Sequence, residues 1–341
     1  MRRDQSMRRD QSMRRRSSLA LLAALALVVV PAVAGPAGAA GHGQSERDRI
    51  LAYWTPARLQ SAVSRDFIKA DRGFVPKAKP GGGGTGAITG ASWTKGGAIL
   101  KASGKVYFSI GGGNWVCSGS VVTDHRSNAS IVLTAGHCAY DETDEAFATN
   151  WVFIPEYDTN PTLSNCQNTR WGCWTAQALV VHEGYATAGG FNTQATLHDF
   201  AFAVVGPGGK SGTAQLDATV GSFPITFSGN FAGQKLYAFG YPAAGKYHGN
   251  DLVYCAGNVF TDALNGDDTW GMACGMTGGS SGGPWLSGFN EGTGSGTLSS
   301  LNSYGYSGIK NMYGPKFNAN TADVFDAADD PNGATGNTIV P

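Results

Sequence analysis

Charged residues are scarce in this chain of 341 residues: they make up 15% of it, whereas glycine occurs 50 times. The sequence also lacks heptads and any repeat of about 20 to 50 residues, which excludes a coiled coil and a solenoid. One apolar run, Leu19–Val30, has only 12 residues, fewer than the roughly 20 that a membrane-spanning helix needs. Few charges and many glycines favour an all-β, loop-rich globular domain.

The main part of the chain, residues 81–341, has no excess of positive charge. Lys+Arg and Asp+Glu each number 25, so the formal net charge is zero. Residues 81–341 carry 10 basic and 19 acidic side chains, a net charge of −9, whereas residues 1–16 carry +5 and residues 41–80 carry +4. An acidic main domain argues against nucleic acid as a partner.

The N-terminus has the pattern of an export signal. Basic residues 1–16 are followed by Leu19–Val30 and by small residues, with Ala32–Ala34 and Ala37–Ala39 as candidate cleavage sites. We interpret residues 1–40 as a signal peptide, so the mature protein is expected to be secreted, extracellular and free of the membrane. A membrane anchor or a buried helix is the alternative interpretation of the same apolar run.

Six cysteines behind an export signal predict disulfides. Their order and spacing favour three short loops, closed by Cys117–Cys138, Cys166–Cys173 and Cys255–Cys274. In the chain-entropy model a loop of this size stabilises the fold by roughly 3 kcal/mol. No cysteine pair has the spacing of a zinc knuckle, so no metal site is expected.

Residues 41–87 are interpreted as a basic pro-segment that ends in the glycine run Gly81–Gly84 and its flanks. One amphipathic helix is predicted from Ser45 to about Ile68. The positive charge of the segment complements the acidic main domain, which makes the pro-segment a predicted partner of that domain. A disordered extension without a role is the alternative.

From about residue 88 onward, short β-rich stretches alternate with turns, and this pattern predicts sandwiches or barrels. A boundary between two β halves is expected near 206–216, giving halves of about 88–206 and 207–316 and a tail at 317–341. The tail is expected to hold one short helix, Thr321–Ala328, before it frays. The predicted strands are Lys105–Ile110, Trp115–Val122, Ser130–Thr134, Trp151–Ile154, Gln177–Val181, Phe200–Val205, Phe223–Phe227, Lys235–Ala238, Leu252–Tyr254, Trp285–Leu286 and Thr297–Tyr304.

The stretch Gly278–Pro284 (GGSSGGP) has the composition of a loop that presents a reactive serine. A serine hydroxyl needs a neighbouring base, and its reaction needs backbone N–H donors aimed at the oxyanion that forms. Glycines allow the tight loop that presents such donors. We therefore expect Ser281 to be the nucleophile, with the N–H groups of Gly279 and Ser281 as the oxyanion hole. A Gly/Ser linker is the alternative.

A base and a carboxylate have candidates earlier in the chain. His137, in Thr134–Cys138 (TAGHC), follows a predicted strand, where a base can face a cleft. Asp199 precedes another predicted strand and can accept the imidazole N–H. Each residue also has a simpler interpretation when it is considered alone. His137 would then be a surface histidine beside a structural cysteine, and Asp199 would be an ordinary turn residue.

Together these stretches resemble the trypsin-like serine peptidase superfamily. The matching residues are TAGHC at 134–138, DFA at 199–201 and GSSGGP at 279–284, in the order His, Asp, Ser. The resemblance covers roughly residues 95–310. It implies an all-β fold of two antiparallel six-stranded β-barrels with the active site in the cleft between them. It also implies a serine endopeptidase that forms an acyl-enzyme and needs no cofactor.

Within that superfamily the chain is most similar to the bacterial glutamyl-endopeptidase (V8-like) branch, through Met276–Gly279 before the reactive serine. Gly275 stands where trypsins carry the aspartate that binds basic side chains. The strand on which glutamyl-specific relatives carry a histidine offers Asn302 here. Neither specificity is therefore supported, and Thr277 and Asn302 are the candidates for substrate binding.

The predicted enzyme is a monomer that acts on protein or peptide substrates. A secreted protease-like binding module that kept the fold but lost turnover is the alternative, since fold alone does not decide function. An exported esterase is disfavoured, because the nucleophile-elbow sequence and the corresponding chain order are missing.

The opposite charges of the two segments lead to a prediction. An isolated 41–80 peptide should inhibit the main domain less strongly as salt is raised, because ions screen charges beyond about 10 Å at 0.1 M. Inhibition measured against ionic strength checks this. Inhibition that stays constant as salt is raised would contradict an electrostatic contribution to binding of the peptide.

Overall fold

The computed structural model describes residues 45–65, 67–70, 73–76, 87–157 and 166–341. The chain divides into two units, Met1–Gly43 and Gln44–Pro341, and every described residue lies in the second. The predicted signal peptide at 1–40 and the glycine run at 81–84 lie outside the described residues. Within the described ranges, no helix is both long and apolar enough to cross a membrane.

Strands dominate the structure, and its helices are short. The helices are α1 (Glu46–Tyr53), α2 (Pro56–Ser61), α3 (Gly97–Ala102), α4 (Glu183–Ala186), α5 (Thr193–Leu197), α6 (Leu216–Val220) and α7 (Ala319–Asp329). The strands up to residue 205 are β1 (Val63–Ser64), β2 (Phe67–Ala70), β3 (Gly73–Pro76), β4 (Ile88–Ser92), β5 (Ser103–Ile110), β6 (Gly113–Val122), β7 (Ser130–Thr134), β8 (Tyr140–Asp141), β9 (Ala146–Phe147), β10 (Thr149–Pro155), β11 (Trp174–His182) and β12 (Ala201–Val205). The later strands are β13 (Lys235–Gly240), β14 (Val253–Asn258), β15 (Phe260–Thr261), β16 (Thr269–Ala273), β17 (Pro284–Asn290), β18 (Ser295–Leu301), β19 (Tyr304–Tyr306), β20 (Asn311–Pro315) and β21 (Thr338–Val340).

The first half is a closed antiparallel barrel. Its strands pair in the order β6, β5, β10, β11, β12 and β7, and pairing of β6 with β7 closes the ring. β7 (SIVLT) and β12 (AFAVV) are buried along their whole length. Both faces of β12 are covered, because helix α7 packs outside it and brings the ring of Phe325 to 5.4 Å from that of Phe202. Because both of its faces are buried, the sequence of β12 is apolar throughout instead of alternating between apolar and polar residues.

The second half is built from two sheets packed around a core of their own. One sheet has the order β18, β17, β13, β14, β4, and the other the order β15, β16, β20, β19, β2, β3. The side chains of Leu236, Trp270, Met272, Trp285 and Met312 fill the space between them. The predicted fold class, two antiparallel β-barrels, is thus confirmed, with backbone pairing closing the first barrel. β4, although it lies at the start of the predicted first half, pairs with β14 of the second.

All three predicted disulfides are present. They are Cys117–Cys138, Cys166–Cys173 and Cys255–Cys274. The first joins β6 to the turn that follows β7, and the third joins β14 to the residue after β16. The bridges therefore tie together neighbours that are close in both sequence and space.

Several local predictions are wrong, among them the strand Thr297–Tyr304, which is divided between β18 and β19. The helix predicted from Ser45 to Ile68 is interrupted, because Pro56 has no N–H to continue α1 and instead starts α2 with Thr55 as its N-cap. Phe223–Phe227 forms only isolated bridges, since Pro224 cannot donate to a ladder. The tail holds α7 as predicted, but it does not fray: β21 pairs in parallel with β11.

The two halves meet at the loop 278–283. Ser118, on β6, donates its N–H to the Ser281 carbonyl over 2.7 Å and its hydroxyl to the Gly279 carbonyl over 2.8 Å. A Cβ on Gly282 would lie 2.3 Å from Thr134 Oγ1 and 2.8 Å from the N of Ala135. The loop can approach the first barrel this closely only because residue 282 is glycine.

The substitution Gly282→Ala should therefore destabilise the fold more than Gly288→Ala. Both glycines have positive φ, +80° and +58°, so each alanine costs about 1–2 kcal/mol of backbone strain. At Gly282 the overlap with the first barrel adds roughly 1–3 kcal/mol, whereas nothing lies within 4 Å of a Cβ on Gly288. Denaturant unfolding measures both, and equal losses would contradict this contact.

Two histidines stack at the surface of the first barrel. The rings of His182 and His198 lie 4.4 Å apart and nearly parallel, and His182 Nδ1 accepts the N–H of Gly184 over 2.8 Å, capping α4. Burial, together with the positive charge of His198, lowers the pKa of His182 to about 4, although Asp323 opposes this. Burial also lowers the pKa of His198. Burial therefore disfavours the charged form of both imidazoles in the folded protein.

This pair makes stability depend on pH. Because the pKa of His182 is lower in the folded than in the unfolded chain, its contribution is complete above about pH 6.5 and is lost as pH falls toward 4. The melting temperature of His182→Asn, which keeps an N-cap acceptor, should fall less over that range than that of the wild type.

The exposed His125 provides a control of opposite sign. Its hydrogen bond to Asp329 raises its pKa, so its contribution is present at low pH. The melting temperature of His125→Asn should consequently fall slightly more on acidification. A His182→Asn curve parallel to that of the wild type would refute the role of the stacked pair.

Candidate active site

His137 and Asp199 are in direct contact and fully buried. His137 lies in the short 3-10 turn Gly136–Cys138 that follows β7, and Asp199 lies just before β12, the strand that pairs with β7. The ring Nδ1 of His137 is 2.9 Å from Asp199 Oδ2 and 3.1 Å from Oδ1. The backbone N–H of His137 also donates to Oδ1, over 2.8 Å. The carboxylate therefore fixes both the ring and the backbone of His137.

Asp199 has a third donor, the hydroxyl of Ser303. Ser303 belongs to the second half and lies just before β19. A buried carboxylate needs hydrogen-bond donors that replace the water it has lost. The carboxylate is thus held from both halves of the protein.

The loop 278–283, called here the serine loop, adjoins His137 and Asp199. In addition to the bonds from Ser118, the N–H of Gly282 donates to the Asn302 carbonyl over 2.8 Å, and Gly279 has a φ of +96°. Gly282 lies against Thr134 and Ala135, which precede His137 in the chain. It is also bonded to Asn302, which precedes Ser303, the residue that donates to Asp199. The loop therefore contacts both the segment that carries His137 and the segment that holds the Asp199 carboxylate. The structure places the three predicted catalytic residues in one region between the two halves.

Solvent has little access to this region in the full chain. His137 and Asp199 are both 0% exposed and Ser281 is 3% exposed. The ring of Phe191 lies edge-on to that of His137, 5.6 Å between centroids. The side chains of His137, Asp199 and Ser281 are thus covered.

Thr277 and Asn302, the predicted substrate-binding residues, flank the serine loop. The hydroxyl of Thr277 donates to the Ala244 carbonyl over 2.9 Å. The amide nitrogen of Asn302 donates to the carbonyls of Ser280 and Phe239, and its oxygen accepts from the Trp285 indole. Thr277 therefore holds the backbone at Ala244, and the amide nitrogen of Asn302 holds the backbone at Phe239 and at Ser280, which precedes Ser281.

A network of charged side chains contacts the backbone of His137. Arg65 donates to the carbonyl of His137 and, over 2.9 Å, to Asp141. Glu142 lies 3.8 Å from the same guanidinium and accepts the hydroxyl of Tyr185. Burial first, and then the charges of Glu142 and Asp199, raise the pKa of that tyrosine, so it remains a hydrogen-bond donor.

Sequence reasoning missed Ser303, Ser118 and Arg65. Ser118 lies inside the predicted strand Trp115–Val122, but its two bonds to the serine loop depend on how the halves meet. Ser303 lies inside a predicted strand, and Arg65 contacts a residue 72 positions away. Contacts between residues so far apart in the chain cannot be predicted from a local sequence pattern.

Cys117, His137 and Cys138 are close enough to be considered as metal ligands, with donor atoms within 4.8 Å of one another. Both cysteines are joined in one disulfide. They offer no thiolate, so this cluster does not suit a metal ion.

The sequence matches no model of a protein family and no curated protein. Two solved structures are clearly similar. A thermostable serine protease, AL20, from an extremophilic microorganism has 38% identity and a TM-score of 0.59, with 69% of this chain and 100% of that chain covered. The protease Anisep from Arthrobacter nicotinovorans has 36% identity and a TM-score of 0.58, with 71% and 99% covered.

A Glu endopeptidase is more distant, at 19% identity and a TM-score of 0.53, with 72% of this chain and 98% of that chain covered. That likeness supports the fold alone, so membership of the V8-like branch stays a weakly supported prediction. The first two proteases are matched over nearly their whole length at more than a third identity. The chain therefore belongs to the trypsin-like serine peptidases of chymotrypsin fold.

Proposed function

We propose that this chain is a secreted serine endopeptidase that cleaves peptide bonds through Ser281, His137 and Asp199. The observation that carries the proposal is the buried contact between His137 Nδ1 and the Asp199 carboxylate, next to a glycine-rich loop that presents Ser281. Export is supported by the N-terminal pattern and by three disulfides, which persist in oxidising compartments.

In this mechanism Ser281 Oγ attacks the carbonyl carbon of the scissile peptide bond while His137 Nε2 takes the hydroxyl proton. Asp199 stabilises the imidazolium that forms and keeps the ring in the required tautomer. The N–H groups of Gly279 and Ser281 are proposed to stabilise the oxyanion. His137 then protonates the leaving amine, and water hydrolyses the acyl-enzyme with His137 as base again.

Ser303 and Ser118 are proposed as positioning residues for this reaction. Ser303 orients the carboxylate of Asp199, and Ser118 holds the serine loop from the first barrel. Thr277 and Asn302 are proposed to form walls of the substrate pocket, since their bonds to Ala244, Ser280 and Phe239 fix the backbone that surrounds it. A protein or peptide substrate and a monomeric enzyme remain part of the proposal.

Labelling with a fluorophosphonate tests the nucleophile. The secreted protein should be labelled at Ser281, and Ser281→Ala should abolish labelling and lower kcat by roughly 10⁶-fold. Asp199→Asn should lower kcat by about 10⁴-fold, because the ring would be held in the wrong tautomer. Ser222→Ala changes a serine bonded only to surface Thr123 in the described contacts and should be labelled normally.

Labelling that persists in Ser281→Ala would reject the assignment. A wild-type protein that is neither labelled nor able to cleave a broad peptide panel after removal of residues 41–87 would favour the binding module instead.

A further inference from the structure

Two short strands of the N-terminal segment connect the two halves of the protein across the candidate active site. β1 pairs in parallel with β6 of the first barrel, placing Val63 opposite Trp115. β2 pairs in parallel with β19 of the second half, placing Phe67 opposite Tyr304 and Lys69 opposite Tyr306. We call residues 63–65 and 67–70 the strap. Its two ends are each a strand added to a different sheet.

Arg65 anchors the strap between these two strands. It is buried, and its guanidinium donates to the carbonyls of His137 and Tyr140 and to the Asp141 carboxylate. Glu142 adds a second negative charge 3.8 Å away. Removing one partner of a buried ion pair is costly, because the remaining charges stay desolvated. The anchor therefore holds the strap at the backbone of the proposed catalytic histidine.

The edge that β2 occupies belongs to β19, the strand that follows a contact of the Asp199 carboxylate. β19 begins one residue after Ser303, whose hydroxyl donates to Asp199, and its other neighbour is β20. An exposed strand edge binds extended peptides through backbone hydrogen bonds. Because β2 already pairs with this edge, an extended peptide cannot pair with it at the same time.

We propose that the strap is an inhibitory ligand of the protein's own peptide-binding edge, and that peptide substrates reach Ser281 only after the strap leaves β19. This inference rests on the proposed peptidase function. It also rests on the contact that the Arg65 guanidinium makes with the backbone carbonyl of His137. It also predicts that cutting the chain after the strap is insufficient, since the pairings and the Arg65 anchor do not depend on chain continuity.

The anchor is tested in the full-length chain with Arg65→Ala, against Arg58→Ala as a matched control. Arg58 lies in the same segment, on α2, but among the described residues its guanidinium contacts only Tyr53. Arg65→Ala should raise the rate of fluorophosphonate labelling of Ser281 about tenfold or more, because it removes a partner of a buried charge cluster. Arg58→Ala should leave the rate unchanged.

The contact itself is tested without any activity, in the full-length chain carrying Ser281→Ala. Hydrogen exchange of the β19 amides at Tyr304–Tyr306 should be slow and should speed up when Arg65→Ala is added, but not when Arg58→Ala is added. If Arg65→Ala fails to fold, Ile68→Pro and Lys69→Pro replace it. A proline removes a backbone donor, and neighbouring donors point to opposite sides of a strand, so one of the two faces β19.

The outcomes separate the two proposals. Equal labelling rates and equal β19 exchange in all variants would overturn the inhibitory strap and leave the peptidase intact. Faster exchange with no labelling in any variant would overturn the peptidase assignment, and the inhibitory role with it. Faster labelling together with faster exchange, confined to the strap variants, supports the strap.

Discussion

The hydrogen bond between the imidazole of His137 and the carboxylate of Asp199 is the interaction on which the rest of the site depends. Both groups are buried, and a buried carboxylate is costly unless donors surround it. Its donors come from the first barrel, through His137, and from the second half, through Ser303. The geometry of the site is therefore correct only when the two halves are joined.

That joining depends on close backbone approach. The loop that carries Ser281 meets the first barrel through Ser118 and through Gly282, where a side chain would overlap Thr134. The disulfide Cys117–Cys138 ties the strand that carries Ser118 to the turn that carries His137. One bridge thus positions both the residue that contacts the serine loop and the candidate base.

Much of this arrangement could be predicted from local sequence. β7 begins and ends at the predicted residues, and the three disulfides follow from cysteine order, because both depend on neighbours in the chain. Features that depend on distant partners were missed: β4 pairs with β14, and Arg65 reaches the His137 carbonyl. The run predicted as one strand, Thr297–Tyr304, is divided, since Asn302 and Ser303 turn their side chains to the serine loop and to Asp199.

Nuclear magnetic resonance of the His137 ring tests the central claim most directly. In protein with the strap released, the Nδ1–H resonance should lie far downfield and be lost in Asp199→Asn. Attachment of a phosphonate to Ser281 should shift both ring-nitrogen resonances, because the proposed mechanism requires the hydroxyl to lie beside the ring. Ring resonances that do not respond to modification of Ser281 would contradict a triad formed by these three residues.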